Sequence, residues 1–228
     1  MEADFLTVIL ILYILVIAEK GAILGFYGSV KTTLFLIALF ILTITISPKT
    51  SDFLGKSQII NSYLDQKAAS FVSEKTEEIA AGTNYGFLQN LLIPDELEAA
   101  LQNRDISIIQ SEPMQLHLRN AVKALFIYAA AVVLTMGFFV VILLVCMILI
   151  NKLIKTPEVK LIDRVMGFVL GILEGLISVW MILALLHLFE FTETAGNILR
   201  SVHASPLLSI ADDNNLVYLA ARYVMGLK

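Results

Sequence analysis

Twenty-seven consecutive residues, 124–150, contain no Asp, Glu, Lys or Arg, and this uncharged run constrains the fold more than any other feature. An α-helix rises about 1.5 Å per residue, so about 20 residues cross the ~30 Å hydrocarbon core of a bilayer. Within that core every backbone N–H and C=O must find its partner inside the protein, which a helix achieves locally. The whole chain agrees: 58% of its 228 residues are hydrophobic and 16% are charged, too apolar a balance for a soluble domain of this length. A second run, 165–189, is interrupted only by Glu174 and His187 and is predicted to span as well.

Two shorter apolar runs lie near the N-terminus: 5–18, ended by Glu19 and Lys20, and 32–47, between Lys31 and Pro48. Each becomes long enough to span if its flanking charges sit at headgroup level, where a lysine stem can snorkel. The competing arrangement is a first helix that enters only partway or lies flat. A cleaved signal peptide is not expected, because Glu2 and Asp4 replace the basic n-region. The expectation is an all-α polytopic membrane protein with about four transmembrane helices plus amphipathic extracytoplasmic helices. It divides into a first transmembrane pair (1–47), an extracytoplasmic amphipathic segment (48–119), a second transmembrane pair with a basic cytoplasmic loop (120–190) and an extracytoplasmic C-terminal segment (191–228).

Orientation follows from the basic residues of the short connections. Lys20 and Lys31 lie in the first, and Lys152, Lys155, Lys160 and Arg164 in the third. Both connections are therefore assigned to the cytoplasm and both chain ends to the outside. In the long connection Ile60, Leu64, Ala68, Phe71, Val72 and Ile79 recur at helical spacing, opposite Lys67, Glu74, Lys75, Glu77 and Glu78, which predicts an amphipathic helix. "IPDELEAAL" (93–101) announces a second after the turn "GTNYG" (82–86). These helices either cover the outer ends of the spans, lie on the bilayer surface or dock a partner. Near the C-terminus, Leu216, Leu219, Ala220 and Tyr223 predict one more short helix, started by "ADDNN".

The signatures of soluble catalysis are missing. "GFYGSVKTT" lacks the Gly-Lys pair of a phosphate loop and sits between apolar helices rather than after a strand. His117, His187 and His203 are dispersed without ligand spacing, and Cys146 is the sole cysteine, so neither a zinc site nor an internal disulfide is expected. Ser29 and Ser178 lack a nucleophile-elbow setting. The chain is expected to be no enzyme and to take no cofactor, metal or nucleic acid.

The stretch "LIDRVMGFVLGILEGLISVW" carries the most specific signal. On a helix, Asp163, Gly171, Glu174, Gly175 and Ser178 all fall within about 80° of Gly167. Glycines at i, i+4 and i+8 let another helix approach at backbone distance, which is a main source of helix association in lipid. The face carrying Gly167, Gly171 and Gly175 is thus expected to meet protein, and Glu174 to point into the same seam, within the chain or between copies. Three roles remain open for Glu174: structural, either protonated and hydrogen-bonded or paired with a base such as Lys31; lining a polar cavity or ion path; or touching a partner's helix. Asp163, at the start of this helix, is expected to cap its free N–H groups, and Arg164 to reach headgroup phosphates or pair across the seam.

The segment "NKLIKTPEVKLIDRVMGFVLGILEGLISVWMILALL" (151–186) resembles the colicin V production protein (CvpA) family, in which a basic loop leads through Asp-Arg into a glycine ladder. Asp163, Arg164, Gly167, Gly171 and Gly175 match that pattern. The region "EKGAILGFYGSVKTTLFLIALFILTITI" (19–46) is similar to the family's first helical pair, and "ASPLL" (204–208) to the stretch after the last span. In the family the position before the last ladder glycine is often basic; here it is Glu174. The resemblance implies a bacterial inner-membrane protein, without known catalytic activity, linked to production or export of a peptide toxin and to envelope function. The expected role is a non-enzymatic accessory or scaffold component whose partners are the bilayer and either further copies or other envelope proteins. The rival is a small channel or transporter in which Glu174 titrates.

Overall fold

The computed structural model describes residues 2–80, 111–153, 160–190 and 192–225. Among these residues there are seven α-helices and no strand: α1 (Glu2–Lys56), α2 (Gln58–Ala80), α3 (Glu112–Leu153), α4 (Leu161–Leu188), α5 (Glu193–His203), α6 (Pro206–Asp213) and α7 (Leu216–Met225). Three of them, α1, α3 and α4, are long and apolar enough to cross a membrane. The 42 residues of α3 reach about 63 Å and the 28 of α4 about 42 Å, so both exceed the hydrocarbon thickness. The chain is thus an all-α polytopic membrane protein. The surface left uncovered is what lipid requires: Phe138, Val141, Val145, Ile148 and Leu149 of α3 and Val165, Met166, Val169 and Ile172 of α4 are all exposed.

The helix α1 contains two of the four expected crossings, because it breaks at Gly25 (φ 70°, ψ 179°). That combination is open essentially to glycine alone. The first arm, 2–24, and the beginning of the second arm, 26–56, follow α4 in opposite senses. Along the first arm, Ile14, Ala18 and Gly21 meet Gly175, Gly171 and Gly167 in descending order. Along the second, Ser29 reaches Gly167 and Thr32 reaches Glu174, in ascending order. The chain therefore turns back at Gly25, and the first arm is a full 23-residue helix rather than a 14-residue stub. The second arm does not stop at 47. Pro48 is taken into α1, which continues to Lys56.

Two compact units result, one of residues 1–45 and 135–228 and the other of 46–134, and the divisions between them fall inside α1 and α3. In the second unit, α2 runs antiparallel to the first half of α3. Ala68 and Val72 are buried with Met114, Leu118 and Val122, and Phe71 meets Phe126 edge to face at 5.8 Å. Asp65 pairs with Lys123 at 3.0 Å, and Gln115 donates to Thr76 at 3.1 Å. The apolar stripe expected on this helix thus packs on α3, while Lys67, Glu74 and Glu77 are exposed. The second amphipathic helix and its turn, expected over 82–101, lie outside the described residues.

In the first unit, the second arm of α1 packs on both α3 and α4. Leu36, Leu39 and Phe40 meet Met136, Phe139, Val140 and Leu143 on one side and Ile177 and Met181 on the other. The C-terminal segment holds three short helices rather than one, each with its own start signal. Thr192 caps α5, Ser205 caps α6 with Pro206 at the first helical position, and the Asn215 side chain accepts the Tyr218 N–H at the start of α7. Together they close over the C-terminal half of α4, burying Val179 and Leu183 with Val202 and Leu208.

Candidate functional site: a glycine seam that buries a glutamate

The seam is made where α4 lies against the first arm of α1. Carbon added at Gly171 would lie 2.7 Å from the Ala18 Cα and the Ile17 carbonyl oxygen, and at Gly175 3.3 Å from the Ile14 Cα. Gly167 and Gly21 face each other so closely that each leaves no room for a methyl group against the other's carbonyl oxygen. Both strips are backbone, so neither can move aside as a flexible side chain would. The glycine face of α4 therefore meets a helix of the same chain. The matching strip on α1, Ala18, Gly21 and Gly25, is itself visible as small residues at helical spacing, a signal that reading α4 alone does not reveal.

Glu174 sits inside this seam with 6% of its surface exposed. One carboxylate oxygen accepts from Lys20 Nζ at 3.2 Å, and the other from the Thr32 hydroxyl at 2.6 Å. Its partners come from both arms of α1, so a single carboxylate fastens α4 to each side of the Gly25 turn. Lys31, the base expected from sequence, is not the partner. Its ammonium goes instead to Asn151 at 2.8 Å and lies over the Tyr27 ring at 5.0 Å. Lys20 is half-exposed, consistent with a lysine whose stem crosses apolar surface to reach its charge partner. Ser178, on the same face one turn later, bonds back to the Glu174 carbonyl.

The turn at Gly25 leaves carbonyls at the end of one arm and N–H groups at the start of the next without helical partners. Two side chains fill these positions. The Ser29 hydroxyl lies 3.1 Å from the Gly21 carbonyl and 3.3 Å from that of Gly167, and the Asp163 carboxylate accepts the Phe26 N–H at 3.0 Å. Asp163 therefore does not cap its own helix. The α4 N-cap is Lys160, without a side-chain cap, and Asp163, in the first turn, caps the second arm of α1. A carboxylate placed between two helix N-termini also meets two positive dipole ends. Arg164 is exposed and takes no part in this cluster.

A second polar cluster lies at the other end of α4. The His187 Nε2 is 2.9 Å from both Asp212 oxygens, His203 Nε2 is 3.0 Å from Asp212, and Tyr218 stacks on the His187 ring at 4.4 Å. Sequence reading leaves these histidines apart because Asp212, which unites them, lies 25 positions from His187 and 9 from His203. Among the described residues no group of three or more His, Cys, Asp or Glu side chains is arranged to hold a metal ion.

A protein-family model described as Colicin V production protein matches residues 106–212. The match takes in all of α3 to α5, nearly all of α6, and the Asp163–Gly175 pattern, while the similarity of 19–46 to the family's first helical pair lies outside it. No curated protein and no solved structure matches the chain. Over residues 106–212, which include Asp163 and the glycine ladder, the chain is thus similar to the Colicin V production protein family.

Proposed function

We propose that this protein is a non-enzymatic scaffold or accessory component of a bacterial inner-membrane system for toxin production, export or envelope maintenance. The observation that carries the reading is the closure of the seam. Glu174 accepts hydrogen bonds from Lys20 and Thr32, and Gly167 and Gly171 on its helix lie in backbone contact with the first arm of α1. A transport path needs polar groups that remain free to bind and release their cargo, whereas here they are spent on holding three helical stretches together. The test is ion flux against pH in reconstituted vesicles, for the native chain and Glu174→Gln. Background flux in both supports the scaffold; pH-dependent flux that disappears in the variant defeats it.

The orientation proposed is with both ends outside the cytoplasm. It is supported by the clustering of basic residues: the Gly25 turn meets Asp163, and Lys31 meets Asn151, so Lys20, Lys31, Lys152, Lys160 and Arg164 gather at one end of the first unit, as the positive-inside rule expects. In a Cys146→Ser background, Ser201→Cys should react with a membrane-impermeant maleimide applied from the periplasmic side. Protection until the inner membrane is opened would reverse the topology.

A further inference from the structure

The Asp212 side chain is only 4% exposed, yet it receives donors from two helices other than its own. Since a carboxylate only accepts, the ring nitrogens aimed at it, Nε2 of His187 on α4 and Nε2 of His203 on α5, both carry hydrogen. The other nitrogen of His187 faces a second carboxylate, Glu190 Oε2, at 3.5 Å. One ring thus stands between two acids. Tyr218 of α7 is stacked on that ring. Every helix of the C-terminal segment therefore meets the end of α4 at this point, two through Asp212 and one through the His187 ring.

We propose that His187, Asp212 and His203 form a proton-dependent latch that clasps the C-terminal helices to the end of α4, tightening as pH falls from about 8 toward 5. A hydrogen bond to a carboxylate becomes roughly twice as strong when its donor is ionised. The docked arrangement places Asp212 against both rings and Glu190 against His187, so a positive charge on either ring is met there by a carboxylate. By linkage, a group that gains protons on docking stabilises the docked state where it is protonated, and this contribution is lost as pH rises. His203 is the half-exposed member, and His187 ties the cluster to α4. The latch is independent of what the seam does.

The chain contains its own reporter. Trp180 is the sole tryptophan; its Nε1–H donates to the Ala211 carbonyl at 2.9 Å, and its own carbonyl accepts from Asn215 at 3.0 Å. Acrylamide quenching of Trp180 in the full chain in nanodiscs should rise roughly twofold between about pH 5.5 and 8.5 as the latch loosens. His203→Gln, at an exposed position, should remove at least half of that change, His187→Gln should remove more, and His117→Gln should leave it intact, with helical content checked by circular dichroism. A flat native profile, a profile retained in both His187→Gln and His203→Gln, or one abolished by His117→Gln overturns the proposal.

Discussion

The Asp163 carboxylate accepts the backbone N–H of Phe26 across 137 positions of sequence, so the first turn of one membrane helix caps the first turn of another. Asp163→Ala should lower stability by about 0.5–2 kcal/mol, the usual worth of a helix cap. Asp163→Asn, which keeps an acceptor, should recover most of it. Unfolding midpoints in mixed micelles would show this, and equal losses for Ala and Asn would mean that charge rather than the cap matters.

Gly25 holds a backbone conformation that a side chain opposes. Gly25→Ala should cost about 1–3 kcal/mol through backbone strain. A variant as stable as the native chain would show that the arms do not need this turn.

The glycine ladder can be tested against an internal control. Carbon at Gly171 meets backbone at 2.7 Å, whereas at Gly137 of α3 nothing lies within 4 Å. Gly171→Ala should destabilise by about 1–3 kcal/mol through overpacking, and Gly137→Ala should be neutral or stabilise by about 0.5–1 kcal/mol through helix preference. Matching responses at the two positions would remove the argument for backbone contact.

Lys20→Met leaves a buried carboxylate with only Thr32 as donor. Its cost should be about 1–3 kcal/mol, less than the ~3–5 kcal/mol of a fully buried pair because Lys20 is half-exposed. In a Glu174→Gln background the same change should cost at least ~0.5 kcal/mol less if the two are coupled. Additive losses in the double-mutant cycle would separate them.

Acid should release the C-terminal helices by a second route. Burial by itself raises the Asp212 carboxyl, but hydrogen bonds and charge from His187, and then from His203, outweigh it and hold the group below the usual carboxylate range. A depressed folded value means that the contribution is complete above the unfolded value of about 4 and is lost as pH falls through the lower folded one. Trp180 emission should therefore show an acid transition below about pH 4, absent in Asp212→Asn. Its survival in that variant would assign it to another carboxyl.

The amphipathic stripe of α2 and the lipid-facing runs of α3 and α4 were legible because they depend on spacing alone. So was the inward face of α4, since three glycines and a glutamate within one arc of a helix are costly against lipid wherever the partner lies. Less was legible at helix ends. Pro48 marks a stop by local rules, but packing of Leu54 with Ile127 and Ala131 carries α1 past it.

What the sequence determined by itself is the membrane-spanning, all-helical character of the chain, because a helix meets its hydrogen-bonding needs with residues four apart and a bilayer reads only local hydrophobicity. Which groups meet was decided only by tertiary structure. Glu174 chose Lys20, 154 positions away, over Lys31, Asp163 capped a foreign helix, and two histidines converged on Asp212. Such choices turn on distances between side chains of different helices, and those exist only once Gly25 has folded α1 back and α4 has settled against both of its arms.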